Sequence, residues 1–159
     1  MEKILIILNL NEVPRIPLFL TMVGLVPFIF LSLGIWFLNH ALKPIALYYL
    51  LNYSVIIITF IGAIYWGVAM EKGEKYFKPY FISVIPALLC WLMFMGFFSN
   101  YILILVFFIF SFFFMYLVDV KYVRSNFFPT WYLALRKIVS VIVLLCLGFA
   151  TIGVNIKIL

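Results

Sequence analysis

Long apolar runs broken by short polar clusters dominate the chain from residue 17 onward. Each run approaches or exceeds the roughly 20 residues that a helix needs to cross a hydrocarbon core of about 30 Å. The pattern predicts an all-α membrane protein, a single domain over residues 1–159 with five transmembrane helices at about 17–38, 45–70, 79–98, 101–118 and 130–155. Prolines stand at or beside four of these starts (Pro17, Pro44, Pro79 and Pro129), where the missing N–H is one that a first helical turn leaves unpaired anyway. Pro27 and Pro86 fall inside the first and third spans and should kink them. Only Ser99 and Asn100 separate spans three and four, which predicts a tight antiparallel hairpin, and Asp119 reads as the end of span four. Ahead of the first span, residues 4–10 form an apolar run too short for a signal-peptide core, read as an interfacial lead-in.

Within span two, residues 53–67 (YSVIIITFIGAIYWG) carry small and aromatic residues at helical spacing. Thr59, Gly62, Ala63, Trp66 and Gly67 share one face, and Ile57, Ile61, Ile64 and Val68 the other. Small residues at this spacing let helices approach closely in lipid, so Thr59, Gly62, Ala63 and Gly67 are the expected packing face and the isoleucine side is expected to meet lipid. A ligand slot walled by Trp66 is the alternative use of the same face. Ser83, Ala87 and Cys90 fall on the Pro86 side of span three, and Arg136, Ser140, Gly148, Thr151 and Asn155 form a stripe on span five that reads as helix packing.

Composition narrows the class further. The chain is 69% hydrophobic, 21% aromatic and 10% charged, outside the range of ordinary soluble domains. The net charge of +6 does not point to nucleic acid, because the basic residues flank apolar spans. With five spans, Lys3, Arg15, Lys72, Lys75, Lys78, Lys121, Arg124, Arg136 and Lys137 fall on one side, and Lys43 and Lys157 on the other. That asymmetry predicts an N-terminus inside and a C-terminus outside, in a bacterial inner membrane or, alternatively, a mitochondrial one.

The same threading gathers Tyr65, Trp66, Gly67, Asp119, Trp131, Tyr132 and Arg136 at the cytoplasmic side as a candidate binding cluster. Asp119 can pair with Arg136 there, since a carboxylate near the hydrocarbon boundary is costly unless paired or solvated. The competing view makes both residues interfacial anchors in contact with water and headgroups. His40, the one histidine, lies in an outer loop, and Cys90 and Cys146 fall within spans, so no metal site, disulfide framework or cofactor is expected. No nucleophile elbow, phosphate-binding glycine loop or HExxH is present, and no catalytic residue is assigned.

Several segments in one order (VPRIP with GLVPF, Tyr53 with TFIGAIYWG, SVIPALLCW, Asp119 and PTWYLALRK) make the chain resemble the transmembrane protein 69-like family of small multi-pass proteins, a domain of unknown function. In that family histidine commonly precedes the tryptophan, and Tyr65 in its place speaks against an obligatory ligand or proton carrier there. The resemblance implies about five helical spans and no activity. The function expected is a non-enzymatic bundle that contacts membrane lipids, anionic ones included, through Lys72, Lys75, Lys78, Lys121 and Arg124, or contacts another membrane protein or a second copy of itself. The alternative is a carrier or channel for a small solute.

Overall fold

A computed structural model of the chain describes residues 10, 12–73, 77–93 and 100–157. Among them the regular elements are five α-helices with no strand: α1 (Arg15–Phe37), α2 (Lys43–Lys72), α3 (Phe77–Leu92), α4 (Tyr101–Arg124) and α5 (Thr130–Lys157). Helices α1, α2, α4 and α5 are long and apolar enough to cross a membrane. Helix α3 has 16 residues, a rise of only about 24 Å. It begins two residues before the predicted third span, 79–98, and residues 94–99 lie outside the described part, as does most of the predicted lead-in 4–10.

Successive helices run up and down. Helix α1 lies between α2 and α5, α3 packs on α2, and α4 packs on α5 and more sparsely on α2. The buried seam of α4 is Leu105, Phe108, Phe112, Met115, Asp119 and Val123, spaced three and four residues apart, which is how a helix presents one stripe to its neighbours. At the centre Phe28 of α1 meets Tyr53 of α2 and Phe112 of α4 edge-on, with ring centroids 5.1 and 5.8 Å apart. Exposed apolar side chains such as Phe19, Phe30, Phe60, Phe110, Phe114 and Leu145 surround this core. So much uncovered apolar surface suits a lipid solvent.

Two close approaches fix the packing. A Cβ at Gly62 would lie 2.6 Å from the Ser83 carbonyl oxygen, so the backbones of α2 and α3 touch there, beside Pro86. A Cβ at Gly153 would lie 2.7 Å from Trp36 Nε1, which donates to the Phe149 carbonyl at 2.9 Å and joins the far ends of α1 and α5. Pro27 sits inside α1 without ending it, and the Tyr53 hydroxyl donates to the Gly24 carbonyl, 2.8 Å away, in the turn before it.

The structure corrects several expectations. Of the proposed packing face only Gly62 is buried; Ala63 and Gly67 are exposed, nothing lies within 4 Å of a Cβ at Gly67, and the half-buried Thr59 turns its hydroxyl onto the Val55 and Ile56 carbonyls of its own helix. The side assigned to lipid is the inner one: Ile61 is buried, and Ile57, Ile64 and Val68 are half-buried. Ala87 and Asn155 are exposed; of the predicted α5 stripe Arg136 and Ser140 are buried and Gly148 and Thr151 half-buried, and the seam also runs through Tyr132, Val139, Val143, Leu147, Ala150 and Val154. The hairpin connection expected at Ser99 and Asn100 falls largely outside the described residues; within them, α3 and α4 border a groove of about 490 Å³ with Lys78 and Lys121 at one end.

Candidate functional site

Helix α4 does not stop at Asp119 but continues for more than a turn, to Arg124. Its last turn holds Lys121 and Arg124, cations suited to the negative end of the helix dipole. It closes with Asn126 in the left-handed region at φ 56°, the Phe127 N–H donating to the Tyr122 carbonyl (2.9 Å) and the Asn126 N–H to the Val123 carbonyl (3.0 Å). This reversal, which asparagine tolerates better than most residues, turns Phe127 and Phe128 back onto the bundle end. Both are buried. The Tyr65 ring packs edge-on against Tyr122 and Phe128 and stacks on Phe127 at 6.3 Å.

Beneath that aromatic cover Asp119 is 0% exposed and Arg136 6%. Arg136 Nε donates to Asp119 Oδ2 at 2.6 Å. The Tyr65 hydroxyl donates to Oδ1 at 2.6 Å, and the Tyr132 hydroxyl lies 3.5 Å from the same oxygen. One carboxylate thus ties together α2, α4 and α5. Charges so buried persist only when paired and hydrogen-bonded, and here the carboxylate is. The guanidinium is not fully used, because Arg136 Nη2 is buried and has no partner among the described residues. One turn further along α5 the Ser140 hydroxyl is buried and unpartnered too.

Arg136 also lines a groove of about 600 Å³ between α1, α2 and α5. Its walls are otherwise almost wholly apolar, with Leu20, Phe28, Ile64 and Leu135 among them, and Trp131 stands near one end. From Pro129 to Val143 along α5 the groove extends about 20 Å. The volume falls in the range of roughly 300–1,000 Å³ typical of ligand sites.

Of the seven residues placed in the candidate cluster, Tyr65, Tyr132 and Arg136 all reach Asp119, and Trp131 lies beside them with its ring 6.3 Å from that of Tyr132. Trp66 points elsewhere, 46% exposed and edge-on to Tyr80 of α3 at 5.1 Å, and Gly67 is exposed beside it. Sequence reasoning missed Tyr122, Phe127 and Phe128. The signal available was the pair of phenylalanines in an otherwise polar connection, too apolar to be left in water. Lys72 supports the cover from α2, with Nζ 3.3 Å from the Asn126 carbonyl oxygen and 5.7 Å from the Phe127 ring centroid.

Compared with known proteins, residues 13–152 match the model of a family described as a protein of unknown function, DUF3429. No curated protein and no solved structure matches the chain.

Proposed function

The chain belongs to the DUF3429 family, and from that premise we propose a non-enzymatic, multi-pass inner-membrane protein that holds a membrane lipid in the groove between α1, α2 and α5. The observation that carries this is the groove itself: about 600 Å³, apolar along its length, with Arg136, two turns from the start of α5, the only charged lining residue among the described ones. Its extent exceeds half of the roughly 30 Å hydrocarbon core, which suits a chain entering from one leaflet. In this reading α3 belongs to the third of five spans, with the N-terminus and the basic end inside and the C-terminus outside. The asymmetry of Lys and Arg supports that orientation. The narrower likeness to transmembrane protein 69 belongs to the same reading.

Native mass spectrometry after stringent detergent washing tests it. Wild-type protein is expected to retain phospholipid, as is Ile56→Trp, which adds bulk at an exposed position of α2 outside the groove. Ile64→Trp adds the same bulk to the groove wall and is expected to lose most of it. Absence of lipid from wild type, or equal retention by all three proteins, contradicts the proposal.

A further inference from the structure

Resting on the lipid-groove reading, we infer that the groove selects a phospholipid of net negative charge, whose phosphate meets Arg136 Nη2 while a chain lies along α1, α2 and α5, and that Tyr65 is the positioning residue keeping Nη2 available. An arginine beside a carboxylate usually donates through two nitrogens to its two oxygens. Here Nε takes Oδ2, but the oxygen that Nη2 would take, Oδ1, already meets two hydroxyls with its two lone pairs, Tyr65 at 2.6 Å and Tyr132 at 3.5 Å. The fork is left half-closed: Nη2 is a buried donor with no partner among the described residues, on an arginine that lines an apolar groove.

Burying such a donor unpaired is unfavourable, so an acceptor from outside the chain gains a full hydrogen bond there. A cationic prong favours an anionic acceptor, and the apolar walls favour one attached to a hydrocarbon chain. The location agrees. Arg136 follows Trp131 and precedes the exposed Lys137, a sequence of side chains suited to headgroup depth. Net lipid charge matters beyond the phosphate itself, because a zwitterionic headgroup brings its own ammonium beside the Arg136 guanidinium and offsets the attraction there.

The test measures binding of phosphatidylglycerol against phosphatidylcholine to delipidated full-length protein by titration in native mass spectrometry. Wild type is expected to prefer phosphatidylglycerol by roughly tenfold, because the choline ammonium offsets the charge-assisted hydrogen bond that Arg136 gives a phosphate. In Tyr65→Phe, a lone pair of Oδ1 is released, Nη2 can close on Asp119, and the preference should fall severalfold while both charges remain paired. The double variant Asp119→Leu/Arg136→Met leaves no unpaired charge to unfold the bundle and keeps the groove apolar; it should bind both lipids about equally. A preference that survives in the double variant overturns the inference by assigning selectivity to surface lysines, and equal binding by wild type overturns it too. If wild type binds neither lipid, the groove reading itself fails.

Discussion

Asp119→Ala is expected to be the most damaging single substitution in the protein. It removes the partner of Arg136 and leaves a guanidinium that is 6% exposed with no carboxylate beside it. Breaking a buried pair from one side costs about 3–5 kcal/mol, because the remaining charge is uncompensated. It also strips the acceptor from Tyr65. Arg136→Met alone should cost about as much through the stranded carboxylate, whereas Asp119→Leu with Arg136→Met should recover most of the loss, as paired replacement of buried ions by apolar residues generally does. Thermal unfolding in detergent by circular dichroism checks this. Additive losses in the double variant would show that the pair is not energetically coupled.

Gly62→Val is the second large effect, and it acts at a different joint. The Ser83 carbonyl oxygen, 2.6 Å from the ideal Cβ position, belongs to the backbone and cannot rotate away, and Pro86 closes the other side. Overpacking of this kind costs about 1–3 kcal/mol, and here its outcome is displacement of α3 from α2. Cys90, buried on α3, reports the displacement. In a Cys146→Ala background, a membrane-permeant maleimide should label Cys90 slowly when Gly62 is present and at least several times faster in Gly62→Val. Gly67→Val, at a glycine with open space around it, should leave the labelling rate unchanged.

Much of the architecture was legible because the bilayer imposes a simple rule: apolar runs of sufficient length must be helices, with their backbone groups satisfied internally. Antiparallel threading of those runs was enough to bring Asp119, Tyr132 and Arg136 to one end beside Tyr65. The faces were harder to read. Helix α2 is apolar all round, so periodicity carries little information about which side meets protein, and the small-residue rule chose Ala63 and Gly67 where the contact uses Gly62 alone. Asp119 was taken as a terminus because an acid normally marks the membrane boundary; an internal partner on another helix lets α4 run past it. The cover formed by Phe127 and Phe128 depends on a helix cap at Asn126 that no hydropathy pattern encodes.

That arrangement gives one central claim, a buried guanidinium nitrogen held open toward a lipid phosphate, and it can be measured between the two nuclei concerned. The chain has three arginines, Arg15, Arg124 and Arg136. With Arg15→Lys and Arg124→Lys, ¹⁵N-arginine labelling isolates Arg136, and solid-state NMR in phosphatidylglycerol bilayers reads its dipolar coupling to ³¹P. The account predicts dephasing of the Nη signal that corresponds to a nitrogen–phosphorus distance of about 4 Å, as a direct hydrogen bond to a phosphate oxygen requires. An Arg136 Nη signal that ³¹P leaves untouched would contradict it.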